Sequence, residues 1–398
     1  MTISFADRLA SIETSAIREL FKLLGKPGII SFAGGFPDPS LFDIEGIRRA
    51  SEQALSDATA GAVLQYGATE GVPALRSALA GYMQEQGCAV AADDLIVTTG
   101  SQQALDLLGK TLISPGDKVI VEGPTFLATI QCFRLYGADL ITAPTDEHGV
   151  QVDQLEHLIR THKPKLIYLI PTFGNPSGAT LSLERRKRIL QLAAEHRVLV
   201  IEDDPYGQLY FDAPPPPSLL SLSQDVPGSR DYLCYCGSLS KTLAAGLRVG
   251  WLVAPPALLA KAVMCKQFSD AHTSNLSQQI ALNYLESGRM PAALAHARSI
   301  YAQRASTMCH ALTQEFGAAI SFTAPQGGLF VWARLTGADG RPNQAQAFAQ
   351  RAIDKLVAFV PGTPFFAQNP DLACLRLSFA TADEGKIMEG VKRMAAAL

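Results

Sequence analysis

From about residue 94 onward the sequence alternates short apolar runs with stretches of helical periodicity, and this alternation restricts the possible fold most strongly. Leu95-Ile96-Val97-Thr98-Thr99 reads as a strand, and Gly100-Ser101-Gln102-Gln103 opens a helix that continues to about Leu112. Further strands are expected at Asp117 to Glu122, Leu166 to Ile170, Val198 to Glu202, Asp231 to Cys236 and Val249 to Val253. Strand–helix alternation of this kind predicts an α/β protein whose mostly parallel sheet carries helices on both faces. Polar clusters fall at the C-terminal ends of these strands: Ser101-Gln102, Asn175-Pro176, Asp203-Asp204, and the turn after Cys236. In open α/β sheets that edge is where ligands bind, so the clusters converge on one crevice.

The turn Gly237-Ser238-Leu239-Ser240-Lys241-Thr242-Leu243-Ala244-Ala245-Gly246-Leu247-Arg248 sits between two expected strands and concentrates chemistry. Short hydroxyl donors and a forked cation are what a phosphate needs. A lysine that is desolvated and near other cations loses its proton easily and can form a Schiff base. Phosphate binding beside an imine-forming lysine suggests pyridoxal 5′-phosphate (PLP). A solvated surface lysine is the commoner reading of an isolated turn. Ser238-x-x-Lys241 also matches the S-x-x-K of serine β-lactamases and penicillin-binding proteins.

Composition narrows the choice. With 398 residues the chain can bury a large core and is expected to form two domains. A formal net charge of −3 argues against nucleic acid as the main partner. No apolar run approaches the roughly 18 residues of a membrane span, and Met1 to Leu20 show no signal-peptide core. The seven cysteines are scattered without a C-x-x-C pair, which fits a reduced, cytoplasmic chain. The histidines form no metal-spaced cluster, and no metal site is expected.

Residues 1–30 read as an amphipathic arm or helix carrying Arg18, which either reaches a ligand or is a solvated helix charge. Ser31-Phe32-Ala33-Gly34-Gly35-Phe36-Pro37 and Gln65-Tyr66-Gly67-Ala68-Thr69-Glu70-Gly71 are glycine-punctuated loops that permit close backbone approach. Past Trp251 long helices are expected at about 256–268, 275–288 and 291–316. A smaller α+β region begins at Gln326-Gly327-Gly328, and in it Arg376 lies within the apolar strand Leu375 to Phe379. An unpaired charge in such a strand is costly, so Arg376 belongs either to a salt bridge or to a ligand.

Ser101-Gln102, Asn175-Pro176-x-Gly178, Asp203-x-x-Tyr206, Ser238-x-x-Lys241 and Arg248 together resemble the fold-type I PLP-dependent aminotransferases of class I/II. The resemblance runs from about residue 15 to the C-terminus. The loops at Ile30 to Gly35, Gln65 to Gly71 and Pro205-Tyr206 are most similar to the 2-aminoadipate/kynurenine-type branch, which includes aromatic and broad-range enzymes. The resemblance implies a seven-stranded-type sheet with a smaller α+β domain. The divisions expected are an arm with part of the small domain at 1–45, a large PLP-binding domain at 46–288, and a small domain at 289–398.

It implies roles residue by residue. Lys241 carries PLP and shuttles a proton; Asp203 pairs with the pyridine nitrogen; Tyr206 and Asn175 hydrogen-bond the ring oxygen. Ser101, Gln102, Ser238 and Arg248 bind the phosphate, and Tyr66 reaches it from a neighbouring subunit, implying a homodimer. Arg376 grips the substrate α-carboxylate, with Asn175, Gly34 and Gly35 beside it and Arg18 near a side-chain carboxylate. Phe126 stands where many relatives have a stacking tyrosine, and stacking survives that change. Gly174, where close relatives often have glutamine, is expected to leave more room.

The implied reaction is ping-pong transfer of an amino group from a 2-aminoadipate, aromatic or aliphatic L-amino acid to a 2-oxo acid such as 2-oxoglutarate. Three other readings compete. Serine acylation requires S-D-N and K-T-G elements, and only Ser269-Asp270-Ala271 and Leu335-Thr336-Gly337 are present. A PLP-sensing transcription regulator requires a DNA-binding domain ahead of Gly34, and with about 30 residues before it none is expected. A PLP lyase or decarboxylase shares Lys241, Asp203 and Tyr206, and it stays as the alternative.

Overall fold

A computed structural model describes residues 3–9, 27–337 and 344–398. Arg18 and most of the expected N-terminal helix therefore lie outside the described residues. The large sheet is built from β2 (Leu95–Thr98), β3 (Lys118–Gly123), β4 (Asp139–Asp146), β5 (Gly149–Val150), β6 (Leu166–Leu169), β7 (Leu199–Asp204), β8 (Leu233–Ser238) and β9 (Gly250–Val253). These follow β1 (Ile30–Ser31), which pairs elsewhere. Their spatial order is β2-β9-β8-β7-β6-β3-β4-β5. Neighbours from β8 to β4 are parallel; β9 runs antiparallel to both β8 and β2. The two-residue β5 turns back on β4 and extends the expected seven strands to eight.

Burial on both faces explains why these strands read as continuous apolar runs. On β6, Leu166 and Tyr168 pack into the core on one face, and Ile167 and Leu169 into the core on the other. The same parity places Cys234 and Cys236 together in the first of these cores as packing residues. The strand after Gly228 starts later than expected, because Ser229–Tyr232 is a 3₁₀ turn leading into β8.

Helices connect the parallel strands, notably α1 (Ser101–Leu112) after β2, α2 (Leu127–Leu135) after β3 and α3 (Leu183–His196) before β7. Ser182 caps α3 by accepting the Arg185 N–H, which fixes where the chain leaves the loop after β6. Beyond β9 come α4 (Pro256–Gln267), α5 (Asn275–Glu286) and the 27-residue α6 (Met290–Phe316), close to the expected helices. Among the described residues no helix is long and apolar enough to cross a membrane.

A second sheet of β10 (Ile320–Phe322), β11 (Phe330–Leu335), β13 (Val360–Pro361) and β14 (Cys374–Ser378) has the order β10-β11-β14-β13. β12 (Val357–Ala358) pairs in parallel with β1, joining an early segment of the chain to its last quarter. Just past β1, the Phe32 N–H donates to Ala358 and the Phe32 carbonyl accepts from Ser378. These bonds carry Ala33, Gly34 and Gly35 along the second sheet toward the edge of the first.

Candidate active site

The C-terminal ends of the large sheet and residues from the second sheet enclose a cavity of about 510 Å³. Gly35, Ser101, Gln102, Phe126, Asn175, Asp203, Tyr206, Ser238, Lys241, Arg248 and Arg376 all line it. Thus eleven expected site residues, drawn from positions 35 to 376, meet in one place. Gly34 is buried one residue behind the wall. Tyr66 lies apart from it, 85% exposed, its ring edge-on to His272 at 5.9 Å.

One end of the cavity is made from a helix start and a turn. Gly100 adopts a positive φ of 76°, and a Cβ there would collide with the Arg248 guanidinium. This glycine lets the chain turn sharply out of β2 into α1, leaving Ser101 and Gln102 at the helix N-terminus. N–H groups in that first turn have no intrahelical acceptor and favour an anion. Gly250 packs against the Gly100–Ser101 backbone with no space for a side chain, which brings β9 and the turn before it close to α1. On that turn Ser238 Oγ accepts from the Ser240 N–H at 3.1 Å. Arg248, exposed and with a left-handed φ of 55°, donates to Ser240 Oγ at 3.3 Å and to the Thr99 carbonyl at 3.4 Å. Helix N–H groups, hydroxyls and an arginine form a donor set suited to a phosphate monoester.

The opposite end is dry. Asp203, near the end of β7, is buried, and its Oδ2 accepts from Tyr168 Oη at 2.7 Å. Its Oδ1 is buried without a partner among the described residues. Loss of hydration pushes this carboxyl up to about 7, and the Tyr168 hydrogen bond opposes the rise. A buried carboxylate with one oxygen unpaired suits a protonated ring nitrogen, which would satisfy both its charge and its lone pairs.

Between the ends, Lys241 Nζ donates to the Gly35 carbonyl at 2.7 Å. The residue is only partly buried, but its amine is enclosed. Desolvation, with lesser contributions from Arg376 and Arg248, lowers it to about 8. An amine so shifted is available as a nucleophile and as a proton carrier near neutral pH. Asn175 Nδ2 donates to Tyr206 Oη at 3.3 Å, and burial pushes the Tyr206 phenol up.

Arg376 on β14 is buried and donates from Nη1 to Asn175 Oδ1 at 2.9 Å and from Nη2 to the Ala33 carbonyl at 2.8 Å. The rings of Phe330 and Phe365 lie 4.3 and 4.9 Å from its guanidinium. Burial lowers it to about 10, and among the described residues it forms no ion pair. The salt bridge that the sequence allowed is thus not present among the described residues. The guanidinium is desolvated at the cavity wall, and its Nε has no partner among the described residues.

In two places the structure departs from the sequence. Gly174 does not widen the cavity: a Cβ there would meet Ser177 Oγ at 2.9 Å and the Ile170 carbonyl at 3.3 Å, so the residue serves a tight turn. Tyr168, one residue of an apolar strand, turns out to belong to the site. Its signal is that a buried tyrosine needs a partner for its hydroxyl. Tyr168 stands opposite Ile201 in the β6–β7 ladder, which puts Asp203, two residues on, on the same face. Ser240, Ile170 and Phe36 also line the cavity beyond the expected set.

Similarity to known proteins accords with this geometry. The sequence profile described as "Aminotransferase class I and II" matches residues 34–394. A 2-aminoadipate transaminase of Thermus thermophilus is 41% identical over 397 residues, covering 99% of this chain and 96% of that one. An aromatic-amino-acid aminotransferase of Thermococcus litoralis is 38% identical over 398 residues, covering 98% and 93%. The crystal structure of an α-aminoadipate aminotransferase from Thermus thermophilus, complexed with N-(5′-phosphopyridoxyl)-L-leucine, superposes with a TM-score of 0.91 at 40% identity, covering 99% and 97%. The chain belongs to the class I and II aminotransferases, and its cofactor is PLP.

Proposed function

We propose that this aminotransferase takes its amino group from an L-amino acid of 2-aminoadipate, aromatic or aliphatic type and delivers it to a 2-oxo acid such as 2-oxoglutarate. The reaction is ping-pong, the 2-oxo product leaving before the acceptor enters. The single observation that carries this reading is Arg376: a buried cation with no anionic partner among the described residues, adjoining Asn175 and facing the same cavity as Lys241. The named donors of the relatives, and the leucine moiety in the solved complex, support the range of side chains. They do not favour a lyase or decarboxylase.

Bound at this site, PLP supplies an electron sink for the charge released when the Cα–H bond of the donor breaks. Asp203 keeps the pyridine nitrogen protonated. Tyr206 and Asn175 hydrogen-bond the ring oxygen, Phe126 stacks on the ring, and Ser101, Gln102, Ser238 and Arg248 hold the phosphate. Arg376 grips the donor carboxylate in a bidentate fork, with the Gly35 backbone alongside. The amine of Lys241 would carry the proton from Cα to the cofactor's C4′ on the donor leg and from C4′ to Cα on the acceptor leg. The protein works as a cytoplasmic homodimer, and the exposure of Tyr66 supports its reaching the phosphate of the partner subunit. Residues 46–288 form the cofactor domain, and 1–45 with 289–398 the part that carries Arg376.

Glutamate formation from 2-oxoglutarate with 2-aminoadipate, phenylalanine and leucine tests the donor range, and sedimentation tests the dimer. Carbon dioxide release without glutamate would replace the reading with decarboxylation. Arg376→Ala should raise KM for every donor by about 100-fold, the loss of a bidentate charge-assisted pair. Unchanged KM would remove its carboxylate role.

A further inference from the structure

Behind the phosphate end of the cavity lies a charged cluster around a buried lysine, and it lines no part of the cavity. Lys266, on α4, has no exposed surface. Its Nζ donates to Gln103 Oε1 at 2.8 Å, to Asp270 Oδ1 and Oδ2 at 2.9 Å each, and to Thr273 Oγ1 at 3.0 Å. An ammonium taken wholly out of water persists only where its protons are all engaged, and here they are.

The cluster converges on the turn that makes the phosphate cup. Gln103 Oε1 also accepts the Thr99 N–H at 2.7 Å, and Gln103 Nε2 donates to Asp270 Oδ2 at 2.6 Å. Both groups on Oε1 are donors without acceptor capacity, so the amide has one permitted orientation. Thr99 Oγ1 donates to Asp270 Oδ2 at 3.0 Å. Thr99 is thus held at its N–H and at its hydroxyl, while its carbonyl accepts from Arg248. The next three residues are Gly100, Ser101 and Gln102, the turn and helix start that face the cavity.

We propose that Lys266 is a positioning residue for the cofactor phosphate, acting through Gln103 and Asp270 on Thr99. It fixes the direction of the first N–H groups of α1 and the seat of the Arg248 guanidinium. This rests on the reading that the α1 end of the cavity takes the phosphate. The ammonium touches neither cofactor nor substrate.

The test is a titration of the cofactor-free protein with PLP and, separately, with pyridoxal, which lacks the phosphate. Lys266→Met keeps the buried stem and removes the charge. Asp270→Asn, at a partly exposed position, carries the same test should the first variant not fold. Each variant should bind PLP about tenfold more weakly, with pyridoxal affinity held within about twofold. Gln103→Leu should reproduce this. Equal weakening of both ligands would reduce the cluster to general structure and overturn the proposal, as would an unchanged PLP affinity. A wild-type protein that fails to prefer PLP over pyridoxal would instead overturn the phosphate reading itself.

Discussion

The two ends of the cavity are built from opposite materials. At the Asp203 end the groups are side chains buried on sheet strands: Asp203 and Tyr168 share one hydrogen bond in a dry core, and Asp203 Oδ1 is left without a partner among the described residues. At the Ser101 end the donors are helix N–H groups, short hydroxyls and the exposed Arg248 on a turn. The first end holds, at a cost in desolvation, a carboxyl with one oxygen unpartnered among the described residues. The second leaves its charges wet and gains from their number. The buried end should therefore govern turnover, and the open end should govern how tightly the cofactor is held.

Substitutions can break that division. Lys241→Ala, between the ends, should lower kcat by about 10⁴-fold or more with the melting temperature of the cofactor-free protein nearly unchanged. Near wild-type turnover would displace the site. Asp203→Asn should lower kcat by roughly 10²- to 10³-fold while PLP is still retained on dialysis. A variant that instead loses the cofactor and regains full turnover when saturated would reverse the roles of the two ends. Arg248→Gln, at the open end, should lose the cofactor instead, weakening PLP by roughly 10- to 100-fold with kcat at saturating cofactor within a few fold.

The smallest effect should come from Tyr168→Phe. The tyrosine hydrogen bond lowers the Asp203 carboxyl against a burial effect that raises it to about 7. Without the hydroxyl, Asp203 holds its proton to higher pH. The acid limb of the kcat/KM profile should move upward, with little change on the alkaline side. An acid limb that stays in place would mean that Tyr168 only packs.

What can be read from the sequence follows the same division. Ser101, Asn175 and Asp203 stand out at the C-terminal ends of strands, and Ser238, Lys241 and Arg248 in the turn between two strands, because each brings a chemistry that apolar packing does not need. Arg376 stands out because a charge inside an apolar strand demands an account. Tyr168 and Lys266 do not stand out. One is an aromatic in a buried strand, the other a lysine in a helix, and only the β6–β7 register and the packing of α4 on α1 give them partners. The pairing of Ile30 with Val357 is likewise invisible locally, since it closes across most of the chain. Gly174 misleads for the same reason: whether a missing side chain opens space depends on what faces it, and Ser177 does.

The most direct test is a single-turnover absorbance experiment. The protein loaded with PLP is mixed with one equivalent of L-2-aminoadipate, followed, and then given 2-oxoglutarate. The bound cofactor should pass from its pyridoxal to its pyridoxamine spectrum and return, while Lys241→Ala shows no such cycle. Loss of carbon dioxide in place of that cycle, or an unchanged spectrum with 2-aminoadipate, phenylalanine and leucine alike, would contradict amino-group transfer at this site.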